Sequence, residues 1–305
     1  MRRYVLRRVL QAVVVLAGIS VLIFAVARLS GNPVDLMLPM DAPRETRVRL
    51  IQEMGLDAPL PVQYVRFLTS ALHGDFGTSI RFRQPAFRLV LERAPATAEL
   101  ALTSLAFGAL IGVVLGVVAA VRYRAWPDNL VLGATSVGQS LPAFWVGILL
   151  ALFFGVQLGW LPVSGREGFS SLILPALSLG LLPVVSISRL TRSSMVDVLR
   201  QDFVRTARAK GLVESAVVYR HALRNGLLPV VTLLGLQLGA LLSGAVITEQ
   251  VFAWPGIGRL AVDAIQNRDY PIVQAAALVG STFIVAINLL VDFVYTWLDP
   301  RIRLA

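Results

Sequence analysis

A 305-residue chain with 56% hydrophobic and 15% charged residues and a mean hydropathy of +0.72 cannot hide its apolar surface as a soluble domain. Its net charge of +10 is spread over loops between apolar runs. That excludes nucleic acid as a partner and reads instead as membrane topology signalling. Cysteine is absent, so disulfides and thiolate metal sites are excluded.

The N-terminal Met1-Arg2-Arg3-Tyr4-Val5-Leu6-Arg7-Arg8 precedes an apolar run to Ala27. This run is too long for a signal peptide and no small-x-small cleavage site follows, so it reads as a retained first span, Val9–Leu29. The polar segment 30–96 mixes eight Arg with seven Asp/Glu and several prolines, which predicts a small folded extramembrane region. Helical apolar spacing appears there over Arg44–Met54 and Pro61–Leu72. Spans two to four are expected at Thr97–Val121, Leu132–Leu158 and Ile173–Leu190. A charged loop, Thr191–Gly226, precedes span five, Leu227–Thr248. An outer loop, Glu249–Pro271, precedes span six, Ile272–Trp297, and a short tail over 299–305.

The expected fold is therefore all-α: a polytopic membrane protein with six transmembrane helices and an extracytoplasmic insertion after the first. The five later helices form a core over 97–298. Orientation follows from the short loops. From Arg189 to Arg224 there are eight Lys/Arg against three acids, whereas the loop between spans three and four carries only Arg166. The positive-inside rule then puts both termini in the cytoplasm.

Within the spans, Gly108, Gly112 and Gly116 recur every four residues, giving one smooth face where a second backbone can approach. Pro142, Pro175 and Pro183 predict local kinks. Polar residues inside the spans are Gln139 and Ser140 beside Pro142, Gln237 and Ser243 on span five, and Asn288 and Asp292 at i and i+4 on span six. Such groups face protein or a water-filled path rather than lipid. They are candidates for lining a path, with helix–helix hydrogen bonding as the alternative.

Enzyme chemistry finds no footing. The two histidines, His73 and His221, fall on opposite sides of the membrane, and neither His-Glu-x-x-His nor Gly-x-Ser-x-Gly occurs. Lys210 is the only lysine, and Gly211-Leu212 follows it, so a phosphate-cradling P-loop is excluded. Any ATP chemistry belongs to another chain. A stand-alone secondary carrier or channel is the reading from a different class, but no carboxylate is expected at mid-membrane, since Glu99 and Asp292 fall near span ends.

One charged segment has the character of a docking element. Asp202-Phe203-Val204-Arg205-Thr206-Ala207-Arg208-Ala209-Lys210-Gly211-Leu212 is followed by Tyr219-Arg220-His221-Ala222-Leu223-Arg224-Asn225 and Leu228-Pro229-Val230. Leu199, Phe203 and Ala207 are spaced to share a face, and Gly211 can supply a left-handed turn. The segment resembles the EAA loop of ABC importer permeases, most closely in the dipeptide/oligopeptide branch. Arg205 stands where Glu is usual, and Leu223-Arg224 where Leu-Pro is usual; that branch commonly shows both departures. Gly55 to Leu60, Gln63-Tyr64 and Gly74-Asp75-Phe76-Gly77-Thr78-Ser79 resemble the outer region of the B-type subunit. Glu249 to Gly258, Arg268-Asp269-Tyr270-Pro271 and Leu298-Asp299-Pro300-Arg301 also match. Ser30-Gly31-Asn32-Pro33 departs from the usual Pro-Gly-Asp-Pro.

The resemblance implies a type I importer permease in a bacterial inner membrane. Its expected partners are a homologous C-type permease as heterodimer, two cytoplasmic ATPases that hold ATP and Mg, and an extracytoplasmic solute-binding protein. It implies peptide uptake, with nickel or haem as alternatives, and no cofactor in this chain. Phe203, Ala207, Arg208, Lys210, Gly211, Leu212, Glu214 and His221 are then expected at the ATPase. Trp254, Pro255 and Gly256 are expected at the binding protein, the alternative for Trp254 being an anchor in the membrane interface.

Overall fold

The computed structural model describes residues 2–29, 43–53 and 55–298, without the side chains of 2–5, 50, 53 and 292–298. The matches at Ser30–Pro33 and Asp299–Arg301, the tail and the side chain of Asp292 lie outside the described residues. The described chain is helical, with one isolated bridge between Thr78 and Pro85. In order, the helices are α1 (Arg2–Leu29), α2 (Arg44–Glu53), α3 (Leu60–Leu72), α4 (Ala86–Val121), α5 (Trp126–Ser140) and α6 (Ala143–Leu150), which continues as a π-helical stretch, Ala151–Gln157. Next come α7 (Phe169–Leu199), α8 (Asp202–Ala209) and α9 (Glu214–Ala216), which passes through a π-helical stretch, Val217–Ala222, into α10 (Leu223–Gly226). The last three are α11 (Leu228–Val251), α12 (Ile257–Gln266) and α13 (Tyr270–Leu298).

Five described helices are long and apolar enough to cross a membrane, and a sixth span is complete when α5 and α6 count as one. That pair corrects an expectation. The single span Leu132–Leu158 is two helices bent by 101°. Proline disfavours the helical conformation at the residue before it, and Leu141 is extended at φ −91° and ψ 129°. α5 ends there, and α6 restarts with Pro142 as its N-cap. Pro175 and Pro183, by contrast, sit inside a continuous α7.

The chain divides into two compact units. One comprises 1–96, 255–290 and 300–305; its described part has a core of Ala86, Leu89 and Val90 packed with Leu260, Ala264, Ile272, Ala275 and Val279. Within this unit, Ser79 Oγ donates to Asp269 Oδ2, and the Arg81 amide donates to the same oxygen at 3.2 Å. Ser79 and Asp269 are both buried. This clasp joins the Gly74–Ser79 and Arg268–Pro271 motifs across 190 residues.

The other unit comprises 97–254 and 291–299, and α7 is its spine. The glycines of α4 are pressed against it. A Cβ on Gly108 would lie 2.5 Å from Pro183 Cβ, one on Gly112 2.8 Å from Ile187 Cβ, and one on Gly116 2.5 Å from Thr191 Cβ. Four-residue steps on one helix thus meet four-residue steps on the other. α5, α6, α10 and α11 also pack on α7. Ser178 Oγ donates to the Ala143 carbonyl at 2.7 Å, holding the start of α6. Arg192 forms a two-pronged pair with Asp128, which is 1% exposed, with Nη2–Oδ2 at 2.7 Å.

Without water between helices, close packing is what holds a bundle together. Gly116→Val should therefore destabilise the detergent-solubilised permease by about 1–3 kcal/mol, the usual cost of overpacking. Gly18→Ala is the control: a Cβ there meets nothing within 4 Å, so its thermal midpoint should hold or rise. Equal melting of the two variants would show that the glycine face does not carry the packing.

Candidate functional site

The loop between α7 and α11 is a compact helix–turn–helix. The chain leaves α7 at Arg200 and takes extended backbone at Gln201, φ −74° and ψ 153°, which caps α8. This break corrects the expected common face of Leu199, Phe203 and Ala207, since Leu199 belongs to a different helix. The inward face of α8 is instead Val204 and Ala207, at 0% and 7% exposure. They pack on Val117, Ala120, Met195, Val198, Val217, Val218 and Ala222. Phe203 points outward and is exposed, as are Leu212, Val213 and Tyr219. Asp202 at the start and Arg208 at the end of α8 suit the helix dipole.

The turn after α8 is a Schellman motif. The Leu212 amide donates to the Ala207 carbonyl at 3.4 Å, and the Gly211 amide to that of Arg208 at 2.9 Å. Gly211 has φ +77°, and a Cβ on it would meet nothing within 4 Å. The constraint there is backbone handedness, not space. Arg208 then reaches across the turn to Glu214, with Nη2–Oε1 at 2.6 Å and Nε–Oε2 at 3.1 Å. The Arg208 guanidinium holds the Glu214 carboxyl below the usual glutamate range, chiefly through these hydrogen bonds, and Arg208 is raised in return. The exposed tip thus offers Lys210, Gly211, Leu212 and Val213. His221 is half-buried on the following π turn, where its carbonyl accepts from Asn225 Nδ2 at 3.0 Å.

The turn after α11 is organised differently. Trp254 is fully buried beneath Arg166, whose guanidinium carbon is 5.8 Å from the ring centroid. Arg166 in turn pairs with Glu99 at 2.6 Å. The Gly165 amide donates to the Phe252 carbonyl at 3.0 Å. Gly256 is also buried and Pro255 is half-buried. The Trp254 side chain is therefore a support beneath the turn and is not part of its outer surface. Thr97 Oγ1 donates to Glu249 Oε1 at 2.6 Å, and both residues are buried.

The polar span residues divide. Gln139 Oε1 accepts from Arg189 Nη1 at 2.7 Å, and Ser140 Oγ donates to the Ser136 carbonyl at 3.1 Å. Both lie on an exposed face of α5. Ser243 is exposed on α11 and Gln237 is half-buried there; Asn288 is exposed on α13. Sequence reasoning passed over Arg189 as one more loop charge. It also missed the Asp128–Arg192, Thr97–Glu249 and Ser79–Asp269 pairs, whose partners lie 64, 152 and 190 residues apart and leave no local signal.

The Arg208–Glu214 pair gives the turn a pH dependence. Because the folded-state pKa of Glu214 is depressed, its contribution is present above the ordinary glutamate value and disappears as pH falls through the lower folded value. Side chains that are 44% and 55% exposed limit the effect to about 1 kcal/mol or less. Amide exchange at Lys210–Val213 should quicken at acid pH relative to Glu214→Gln, which should be loosened across the range. A wild-type turn whose protection matches Glu214→Gln at neutral pH would show that the pair does not hold it.

Comparison with known proteins agrees with this geometry. The family described as "Binding-protein-dependent transport system inner membrane component" matches residues 112–304, and its N-terminal counterpart matches residues 1–101. The chain is 44% identical over 304 residues to the glutathione transport system permease protein GsiC of Salmonella paratyphi A, covering 99% of each. Identity is 43% to that of Pectobacterium atrosepticum and 42% to that of Escherichia coli K12, again over 99% of each chain. A crystal structure of an amino acid ABC transporter with histidines shares the fold at a TM-score of 0.52 and 13% identity, over 68% of this chain and 92% of that one. The chain belongs to the inner-membrane components of binding-protein-dependent transport systems, and is a multi-pass permease subunit of a bacterial ABC importer.

Proposed function

We propose that this permease imports small peptides, glutathione among them, as the B-type half of a heterodimer with a homologous C-type subunit. The observation that carries the substrate class is 44% identity along 99% of the chain to permeases named for glutathione transport. It favours peptides over nickel or haem. Two ATPases supply ATP and Mg on the cytoplasmic side, and an extracytoplasmic binding protein delivers the solute. Both termini then face the cytoplasm, in keeping with the arginines of the first eight residues and the eight Lys/Arg from Arg189 to Arg224.

The exposed tip at Lys210–Val213, with Phe203 beside it, is the ATPase contact in this reading. The buried Val204 and Ala207 tie α8 to the bundle, so a push on the tip is transmitted to α7 through Met195 and Val198. The turn over Trp254-Pro255-Gly256 is the binding-protein contact, with Trp254 bracing it from below. Gln139, Ser140, Gln237, Ser243 and Asn288 are the described path candidates, because a peptide in transit needs polar partners or water.

Reconstituted with its partners, the permease should drive ATP-dependent uptake of labelled glutathione in preference to Ni²⁺ or haem. Uptake of either of the latter alone would overturn the substrate class. Gly211→Val places a β-branched residue at positive φ, at about 1–2 kcal/mol. The complex should assemble but lose most binding-protein-stimulated ATPase activity and uptake, while Gly211→Asn should keep them. Full coupling in Gly211→Val would remove the turn from the ATPase contact. Trp254→Ala should weaken binding-protein affinity with the heterodimer intact, and unchanged affinity would move docking elsewhere.

A further inference from the structure

Arg189 and Arg192 lie one turn apart on α7 and are treated differently by the fold. Arg192 has the buried carboxylate of Asp128. Arg189 crosses to α5 and donates only to neutral acceptors: Nη1 to Gln139 Oε1 at 2.7 Å, Nη2 to Ser136 Oγ at 3.0 Å, and Nε to Thr135 Oγ1 at 3.4 Å. No acid among the described residues pairs with it. A guanidinium has five N–H groups, so these bonds leave one N–H on each terminal nitrogen. Three acceptors on one helix face hold the plane in a fixed orientation.

The surroundings say where that fork faces. Arg189 lies within α7, a helix long and apolar enough to cross a membrane, where a charge is satisfied by protein or water. Ser136, Gln139 and Ser140 are exposed on the surface of this chain, immediately before the 101° break. A polar face carrying an unneutralised cation cannot be presented to hydrocarbon. It faces the aqueous path or the partner permease that encloses it.

We infer that Arg189 is a carboxylate-recognition group on the translocation surface, an inference that rests on the peptide reading and extends it. The two N–H groups still free on a charged guanidinium suit a carboxylate, which every peptide with a free C-terminus carries. The neutral acceptors orient the fork without cancelling its charge. The substrate carboxylate is then the partner that Asp128 is for Arg192. Hydrogen bonds to Gln139, Ser136 and Thr135 keep the arginine placed when no substrate is present.

The test uses the assembled transporter with the cysteines of its partners replaced. Ser140→Cys is introduced into this naturally cysteine-free chain and its reaction rates with anionic and cationic methanethiosulfonates are compared. Adding Arg189→Gln should lower the anionic-to-cationic rate ratio by roughly threefold or more, and Arg189→Lys should largely preserve it. In parallel, with Ser140 intact, Arg189→Gln should cut ATP-driven glutathione uptake by about tenfold, and Arg189→Lys should retain most of it. An unchanged rate ratio, or undiminished glutathione uptake in Arg189→Gln, overturns the inference while leaving the peptide reading in place. If the unaltered complex takes up no glutathione but the ratio still collapses, the anion-recognition group stands and the peptide reading fails.

Discussion

The contact on which the second unit depends is the approach of α4 to α7. Lipid tails are as apolar as leucine, so burying a leucine between membrane helices gains little; dispersion across a close backbone contact has to do it. Gly108, Gly112 and Gly116 remove every side chain from one stripe of α4. Pro183, Ile187 and Thr191 fill that stripe, and the Ser188 carbonyl comes within 2.6 Å of a Cβ on Gly116. With α7 fixed in this way, its other faces become reference points. Ser178 holds α6, Arg192 holds α5 through Asp128, and Met195 lies against Gly226 at the end of the helix–turn–helix. One helix thereby carries both the polar face near the break and the floor beneath α8.

Much of this was legible before any coordinates. Apolar run length marks the spans, because the bilayer sets a minimum length that soluble helices rarely need. The glycine stripe shows in its spacing, and Gly211 shows as a turn because few other residues adopt its φ of +77° without strain. What spacing could not supply was the partner of each feature. Nothing local ties Ile187 to Gly112 or Asp269 to Ser79. The depth of the break at Pro142 was also under-read. A proline inside α7 leaves the helix continuous at Pro175 and Pro183, and whether a helix bends or stops depends on packing that can rescue the freed carbonyls. At Leu141 the backbone turns extended instead.

The face of α8 shows a further limit. An i/i+4 argument holds only within one helix, and the extended backbone at Gln201 resets the phase. Val204 then takes the inward position that the uninterrupted count had given to Phe203. Loop charges have a similar ambiguity. Arg189, Arg192 and Arg200 contribute equally to a topology count, yet one is neutralised by an acid and one reaches only neutral acceptors. Counting charge establishes which side of the membrane a loop occupies; where each cation ends up depends on the helices that fold beneath it.

The turns that follow α8 and α11 are built on the same hydrogen-bond pattern but on different residues. After α8, Gly211 occupies the left-handed position. After α11 that position belongs to Ala253, with φ 50°, where the Trp254 amide bonds the Glu249 carbonyl at 2.8 Å. An alanine there is disfavoured by about 1 kcal/mol or more, so this turn is not favoured by the residue at its left-handed position. The burial of its neighbours Phe252 and Trp254 offsets that cost. The turn after α8 thus carries its left-handed backbone on a glycine, whereas the turn after α11 leans on the buried side chains either side of Ala253. The shape of the second turn is therefore tied to the packing beneath it.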